Sequence, residues 1–245
     1  MTTTSSNNPI LELKDVTVKY GFSKAIDAVS FEVRKGMALG LIGANGAGKT
    51  TSIKALLGML KVHHGSVEIF GETKLSPNSM LRIGFAPEDA SPPEYLSAEE
   101  YLGFLAKYKL PDKSTRAPQI KDLLSWFDLD PGKTIRKYSK GMKRRLVLAQ
   151  AFLGSPELII LDEPLNGLDP IMIQKLREKL IQCRNAGMSI LYSSYILSEL
   201  ESSCTDVVMM HKGKVVLKNS VPNLVSQYGS VEKAFASQIG GAQTC

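Results

Sequence analysis

At the point that decides its fold, the sequence is Gly43-Ala44-Asn45-Gly46-Ala47-Gly48-Lys49-Thr50. This stretch fits the pattern GxxxxGK[ST], and it stands between an uninterrupted apolar run, Met37 to Ile42, and a segment of helical spacing, Lys49 to Leu60. Backbone N–H groups of a glycine-rich loop converge on phosphate oxygens only where no Cβ intrudes, and a helix N-terminus adds positive potential. The order strand, loop, helix therefore predicts a phosphate-binding loop.

The end of this loop adds polar side chains. The Lys49 ammonium can reach the β and γ phosphates of a nucleotide, and the Thr50 hydroxyl can ligate Mg²⁺. We therefore expect the whole loop to hold nucleotide phosphates. The predicted phosphate-binding residues are Gly43, Ala44, Asn45, Gly46, Ala47, Gly48, Lys49, Thr50 and Thr51.

A second motif stands at the end of another apolar strand, Leu158 to Leu161. Asp162 and Glu163 follow directly, at the carboxyl end of a strand, which is where α/β sheets bind their ligands. Asp162 suits Mg²⁺ coordination there. Glu163 is placed to polarise a water for attack on a γ phosphate, the positioning role that phosphoryl transfer chiefly demands. The two motifs together predict a protein that binds or hydrolyses a nucleotide.

Composition limits the alternatives. With 245 residues, 43% of them hydrophobic, the chain can fill a core, so disorder is excluded as its main state. The net charge of +6 suits phosphates, nucleic acid or an anionic membrane face without choosing among them. The longest uncharged run, 185–198, is shorter than the roughly twenty apolar residues of a membrane-spanning helix. The three cysteines, Cys183, Cys204 and Cys245, are widely spaced and are expected to be reduced thiols.

Apolar patterns elsewhere predict strands that alternate with helices. The chain opens with strands from Ile10 to Tyr20 and from Asp27 to Val33. Ser97 and Glu100 form a capping box, which predicts a helix over 98–109. The other predicted elements are strands near 66–70, 82–86, 157–161, 188–193, 206–210 and 214–218, and helices over 117–128, 140–153, 171–186 and 196–203. Such alternation indicates a buried parallel sheet.

The predicted organisation has four parts. Residues 1–9 are expected to be a disordered lead-in without the features of a signal peptide, which favours a cytosolic location. An α/β core with a β subdomain takes 10–87 and 156–220. A helical subdomain, which begins after the proline-marked loop Pro87 to Pro93, takes 88–155. Residues 221–245 form a C-terminal helical tail.

A third motif narrows the class of nucleotide-binding protein. Tyr138-Ser139-Lys140-Gly141-Met142, upstream of Asp162, resembles the signature sequence of ABC transporter ATPases, whose usual form is LSGGQ. Asn166 to Pro170 resembles the D-loop of that family, and Ile83 to Glu88 stands where its Q-loop enters the helical subdomain. Tyr20 stands at the position of the aromatic residue that stacks on adenine. The resemblance covers residues 10–238.

Within this family, the chain most resembles the ATP-binding subunits of ABC-2 type exporters. The YSKGM form of the signature carries this likeness, together with Ser193 to Glu201 and Ser230 to Phe235. The resemblance implies a P-loop core with a mainly parallel sheet, an antiparallel β subdomain and a helical insert. It further implies a MgATP-hydrolysing subunit that dimerises and drives an ABC-2 type permease from the cytoplasmic face of the inner membrane. No nucleic-acid partner is expected.

The resemblance also implies that residues of one subunit bind the nucleotide held by the other subunit. Ser139 offers a hydroxyl and Gly141 an unobstructed N–H at a helix start, and both would bind the nucleotide held by the partner's phosphate loop. Asp169 of the D-loop is added to the nucleotide-binding residues. A basic cluster surrounds the signature and could serve these phosphates, a permease loop or anionic headgroups, although a solvated helix face is the favoured interpretation for most members. The cluster consists of Lys133, Arg136, Lys137, Lys140, Lys143, Arg144 and Arg145.

Two positions depart from the family pattern. Tyr195 follows Ser193-Ser194 where the family has a histidine that contacts the γ phosphate. Tyrosine offers one hydroxyl and no positive charge, so we predict intact nucleotide binding and slowed hydrolysis. Glu88 replaces the usual glutamine of the Q-loop and keeps an oxygen for Mg²⁺, which makes Thr50, Glu88 and Asp162 the predicted metal ligands.

Tyr195 leaves a second hypothesis open. The chain could be a regulatory clamp that binds ATP with little turnover. It could also be the degenerate partner in a heterodimer, lending Ser139 and Gly141 to an unlike ATPase subunit whose own switch residue is intact.

Overall fold

A computed structural model describes residues 8–240 of the chain. Most of the predicted lead-in, residues 1–7, and the end of the predicted tail with Cys245 lie outside the described residues. The strands are β1 (Leu11–Tyr20), β2 (Ser23–Val33), β3 (Ala38–Ile42), β4 (His64–Ile69), β5 (Ile83–Ala86), β6 (Leu158–Asp162), β7 (Ser189–Ser194), β8 (Asp206–His211) and β9 (Lys214–Ser220). The α-helices are α1 (Lys49–Leu56), α2 (Pro77–Leu81), α3 (Ala98–Lys109), α4 (Lys113–Trp126), α5 (Lys140–Ala151), α6 (Pro170–Asn185), α7 (Leu197–Ser203), α8 (Val221–Tyr228) and α9 (Val231–Gly240).

The central sheet has six strands in the order β5-β6-β7-β3-β8-β9. All neighbouring pairs are parallel except β8 and β9, which form an antiparallel pair. Strands β3, β6 and β7 are buried at every residue, as expected for strands covered on both faces. Because the ends of β3 and β6 lie at the same edge of the sheet, the phosphate loop and the acid pair emerge on the same side.

The second sheet is a small antiparallel one, ordered β2-β1-β4. Its apolar face packs with α1 against one side of the central sheet, and most of the other helices pack against the opposite side. The alternation of β3 divides its residues between these two cores: Leu39 and Leu41 face the first, Ala38 and Ile42 the second. The predicted fold class, a P-loop α/β core with a mainly parallel sheet, an antiparallel β portion and a helical insert, is confirmed.

Local signals set most element boundaries. The Ser97 side chain accepts a hydrogen bond from the Glu100 N–H (3.2 Å), and the Glu100 carboxylate accepts one from the Ser97 N–H (2.8 Å). The capping box therefore starts α3 at Ala98. Ser139 caps α5 in the same way, accepting from the Met142 N–H at 3.2 Å.

Two predicted helices have one end four residues away from its predicted position, and α2 was not predicted. Helix α1 ends at Leu56, before the predicted Leu60, because Gly58 adopts a left-handed φ of +70° that stops the helix. Helix α4 begins at Lys113, four residues before the predicted start, because Asp112 caps it and Pro118 is accommodated inside.

Within residues 8–240, no helix has both the length and the apolar composition that crossing a bilayer requires.

Candidate functional site

The loop between β3 and α1 leaves no room for side chains at two of its glycines. A Cβ on Gly43 would stand 2.6 Å from the Met210 carbonyl oxygen. A Cβ on Gly48 would stand 2.6 Å from Ile26 Cγ2, and Gly48 also has a φ of +106°. The loop is therefore a cradle of bare backbone, as binding of phosphate through N–H groups requires.

The Lys49 side chain turns back over this loop. Its ammonium donates to the Gly43 carbonyl oxygen at 2.6 Å and approaches that of Ala44 at 3.4 Å. It also lies 3.0 Å from Glu163 Oε1. A buried cation thus joins the phosphate loop to the end of β6, which is where a phosphoryl group in transfer would need positive charge.

Glu163 is nearly inaccessible to solvent and has an unusual backbone. Its φ is +46°, which is rare for a residue other than glycine. Burial raises the pKa of its carboxyl group, and the neighbouring Lys49 opposes that rise only in part. Oε1 receives no hydrogen bond with proper geometry within the part of the chain that the structure describes. A buried carboxyl group whose pKa is raised, beside the phosphate loop, has the properties of a candidate general base.

Asp162 is held by the neighbouring strand β7. The Ser193 hydroxyl donates to Asp162 Oδ1 at 2.5 Å and accepts from the Glu163 N–H at 2.9 Å. One buried hydroxyl therefore orients the Asp162 carboxylate and the Glu163 backbone together. From the sequence, Ser193 was known only as part of stretches that carry the family resemblance, with no role of its own.

A cavity of about 740 Å³ opens between the phosphate loop and Glu163, and the predicted residues Gly43, Ala44 and Asp162 do not line it. The sequence-predicted residues that line it run from Asn45 to Thr51 and include Glu88 and Glu163. The other lining residues were not predicted. Among them, the turn Lys212-Gly213 reaches the phosphate loop because β8 lies beside β3, and the Gly213 N–H donates to the Ala47 carbonyl oxygen at 3.0 Å. The full lining is Ser23, Lys24, Ala25, Asn45, Gly46, Ala47, Gly48, Lys49, Thr50, Thr51, Glu88, Asp89, Glu163, Lys212 and Gly213.

Two predicted aromatic residues lie outside this lining. Tyr20, at the end of β1, is 55% exposed, and Tyr195, just beyond β7, is 48% exposed. Neither hydroxyl hydrogen-bonds to another part of residues 8–240. The two rings are therefore free to contact a molecule that this chain does not itself supply.

The signature and D-loop residues also lie away from the cavity lining. Ser139 caps α5, and Asp169 caps α6 by accepting from the Met172 N–H at 2.9 Å, which lowers the pKa of Asp169. A Cβ on Gly141 would stand 2.9 Å from the Gly167 carbonyl oxygen, so the two loops touch. Two exposed helix starts are thus presented side by side, outside this chain's own cavity.

Two of the seven residues in the basic cluster form ion pairs, and three are exposed. Lys143 pairs with Glu94 at 2.5 Å and Arg145 with Asp128 at 3.0 Å, while Arg136, Lys137 and Lys140 are exposed. Arg144 departs from the predicted solvated face: it is 7% exposed and turns into the protein.

The predicted metal ligands suit a Mg²⁺ ion that is bound by the protein and the nucleotide together. No three of the described His, Cys, Asp and Glu residues group closely enough to hold a metal ion by themselves. Mg²⁺ commonly takes one or two protein carboxylates and completes its shell with substrate phosphates and water. Glu88 and Thr50 line the cavity, and Asp162 directly precedes Glu163 at the end of β6. This donor set fits Mg²⁺ that arrives with a nucleotide.

Comparison with known proteins gives concordant results. A family model described as "ABC transporter" matches residues 26–166. The chain is 38% identical to the bacitracin transport ATP-binding protein BcrA of Bacillus licheniformis, covering 84% of this chain and 68% of that one. It is 36% identical to the lantibiotic transport ATP-binding protein SrtF of Streptococcus pyogenes, covering 94% and 97%. A solved ATP-binding subunit of an ABC transporter superposes with a TM-score of 0.86 at 31% identity, covering 94% and 99%.

Proposed function

This chain belongs to the ABC transporter family as an ATP-binding subunit with ATPase activity, and on that premise we propose that Glu163 is its catalytic base and that it powers an ABC-2 type exporter. Subunits of this family dimerise and work with a transmembrane permease. The observation that carries the proposal is the meeting of Lys49 with Glu163 at 3.0 Å, which places the phosphate loop against a buried carboxylate.

In this proposal, residues 43–51 hold the phosphates of ATP. On nucleotide binding, the Lys49 ammonium exchanges the loop carbonyls of Gly43 and Ala44 for phosphate oxygens. Loss of its contact with Glu163 leaves that carboxylate free to accept a proton from the attacking water. Thr50, Asp162 and Glu88 would hold Mg²⁺, which would supply positive charge to the phosphates. Tyr20 stacks on adenine.

We further propose that each nucleotide is shared between two subunits. Ser139, Gly141 and Asp169 stand outside this chain's own cavity. Ser139 and Gly141 lie at the exposed start of α5, which suits an anion, and Asp169 lies at the start of α6. The partner's nucleotide is the ligand we assign to them. In the same proposal, residues 10–87 and 156–220 form the ATPase core, 88–155 the helical subdomain and 221–245 the tail.

The export assignment rests on the motifs of the ABC-2 subfamily and on relatives whose names describe bacitracin and lantibiotic transport. The permease, not this subunit, would bind the transported molecule. We place the chain at the cytoplasmic face of the inner membrane, held there by that permease.

Tyr195 slows hydrolysis in this account. A half-exposed tyrosine offers one hydroxyl and no positive charge, so it stabilises negative charge on a transferring phosphoryl group less than a histidine would. The same observation favours a second candidate function. With little turnover of its own, the subunit would act as an ATP-dependent clamp or as the weak partner of a heterodimer.

Measurement of phosphate release tests the catalytic assignment. Wild type and Glu163→Gln are compared with excess MgATP, and nucleotide binding is titrated separately for each. We expect both to bind ATP and the variant to lose nearly all turnover. Equal turnover by the two proteins would overturn the role of Glu163.

A further inference from the structure

Arg144 points from the signature helix α5 into the interior. Its Nη2 donates to the carbonyl oxygens of Asp162 (2.7 Å) and Glu163 (2.9 Å), and its Nε to that of Pro164 at 3.3 Å. Its Nη1 donates to the Pro87 carbonyl oxygen at 2.6 Å and approaches that of Glu88 at 3.4 Å. The five N–H groups of one guanidinium thus face five carbonyl oxygens of two separate segments.

Burial of the charged Arg144 guanidinium costs free energy, which its hydrogen bonds must offset. Arg144 is 7% exposed and forms no ion pair within the described residues. Burial lowers the pKa of the guanidinium, and the nearby carboxylates of Asp162 and Glu88 oppose that effect. Because a buried cation is unfavourable unless its donors are satisfied, this arginine contributes through its hydrogen bonds and not through a surface charge pair.

The pattern of acceptors defines what the guanidinium holds. The carbonyl groups of Asp162 and Glu163 belong to the two peptide planes on either side of the Glu163 Cα. Fixing both planes fixes the φ and ψ of Glu163, which at φ +46° is a conformation that its side chain does not favour. The carbonyl groups of Pro87 and Glu88 flank Glu88 in the same way.

We propose that Arg144 is a positioning residue for hydrolysis: it sets the backbone of Glu163 and Glu88 as one unit and ties both to the signature helix. The proposal rests on the catalytic role proposed for Glu163. Arg144 does not touch the nucleotide in this account, so its loss should reduce the rate of the chemical step while ATP affinity is retained.

The geometry makes arginine hard to replace. Lysine keeps the charge but offers three N–H groups from a single atom, which cannot span two segments as a planar fork can. Arg144→Lys is therefore the informative variant, since it keeps the cation and the length of the stem. Arg116→Lys is its control, because Arg116 also donates to backbone carbonyl oxygens, those of Leu110 (2.8 Å) and Pro111 (3.2 Å), between α3 and α4.

The test measures kcat, KM for ATP and thermal unfolding for both variants. We expect Arg144→Lys to lower kcat about tenfold or more, as loss of a charge-assisted hydrogen bond would, with KM and the equilibrium affinity for ATP close to those of wild type. Arg116→Lys should keep wild-type kcat. If wild-type turnover is small, the same series is made in a Tyr195→His background.

A rescue experiment separates positioning from general stability. In Arg144→Ala, added guanidinium ion, at concentrations far below those that unfold proteins, should raise kcat, and ammonium at equal concentration should not. Unchanged kcat in Arg144→Lys would overturn the proposal, as would a parallel loss of kcat, ATP affinity and folded protein. If Arg144→Ala does not fold, the lysine variant alone decides.

Glu163→Gln in the same assay separates the catalytic role proposed for Glu163 from the positioning role proposed for Arg144. If it keeps turnover, the proposed catalytic site is wrong. If it abolishes turnover while Arg144→Lys is fully active, only the role of Arg144 is wrong.

Discussion

The Lys49 ammonium lies 3.0 Å from Glu163 Oε1, and each side chain is only 5% exposed. Two opposite charges from distant parts of the chain are thus buried together at the edge of the central sheet. Lys49 also bonds to loop carbonyls, whereas Glu163 Oε1 has no properly directed donor within residues 8–240. The carboxylate is the less satisfied partner of the pair, and its burial raises its pKa although Lys49 opposes that rise.

Glu163→Gln should therefore stabilise the protein near neutral pH. Because the pKa of Glu163 is higher in the fold than in the unfolded chain, the folded state binds more protons between those two pKa values. The free energy of unfolding of the wild type falls as pH rises through that interval. The glutamine variant does not lose this stability, because glutamine does not titrate. Thermal unfolding should show a higher Tm for the variant near neutral pH, and this difference should shrink as pH falls through that interval and be lost below the ordinary glutamate pKa of 4.5.

Glu157→Gln is the matched control with the opposite sign. Arg82 holds the pKa of Glu157 below its ordinary value, so this surface glutamate contributes stability that is present above the unfolded-state pKa and lost as pH falls. Its replacement should lower Tm slightly near neutral pH. A lower Tm for Glu163→Gln under the same conditions would contradict the account of the buried pair.

Gly48→Ala should destabilise the protein more than Gly46→Ala. Both glycines have positive φ, +106° and +81°, but only a Cβ at Gly48 meets a core side chain, Ile26 Cγ2 at 2.6 Å. The Gly46 variant should lose about 1–2 kcal/mol from backbone strain. The Gly48 variant should lose about 1–3 kcal/mol more because it also overpacks the core. Urea unfolding measures both, and equal losses would refute the steric explanation.

Ser193→Ala should reduce both stability and turnover. Its hydroxyl orients Asp162 and pairs with the Glu163 N–H, so its loss leaves a buried donor unsatisfied at a cost of about 1–3 kcal/mol. Ser189→Ala, on the same strand, loses a comparable hydrogen bond from the Gly36 N–H at 3.0 Å and touches neither acid. Unfolding and phosphate release are measured for both. A similar loss of kcat in the two variants would show that the hydroxyl of Ser193 has no special role.

Tyr20→Ala should weaken ATP binding about tenfold, the range found for loss of one base–aromatic stack. Tyr20→Trp should retain affinity. Phe22 provides the control, since its ring is 107% exposed and lies two residues further along the same turn. Phe22→Ala should bind ATP like wild type in a fluorescence titration. If Phe22→Ala lost affinity and Tyr20→Ala kept it, adenine stacking would be assigned to Phe22 instead.

The sequence predicted the parts of the fold that depend on local pattern. The order of strand, phosphate loop and helix, the capping box at Ser97 and the start of α5 at Lys140 all follow from neighbouring residues. The early end of α1 also has a local cause, Gly58, although the apolar spacing up to Leu60 masked it.

The features that were missed depend on contacts between distant segments. Lys212-Gly213 reaches the cavity only because of the strand order in the central sheet. Arg144 stands in a run of basic residues, and a run of that kind indicates a solvated face. Its burial could be seen only when α5 was placed against 87–88 and 162–164. Sequence analysis therefore found the groups proposed to do the chemistry, and the structure revealed the groups that hold them.

The central claim is that this subunit hydrolyses ATP slowly because Tyr195 stands where a histidine would stabilise the transferring phosphoryl group. The most direct measurement is the steady-state rate of phosphate release by wild type and by Tyr195→His under saturating MgATP, with equal ATP binding verified for both. We predict that the histidine variant is about 100-fold faster, the factor associated with one transition-state donor. A wild-type rate equal to that of Tyr195→His would contradict the claim.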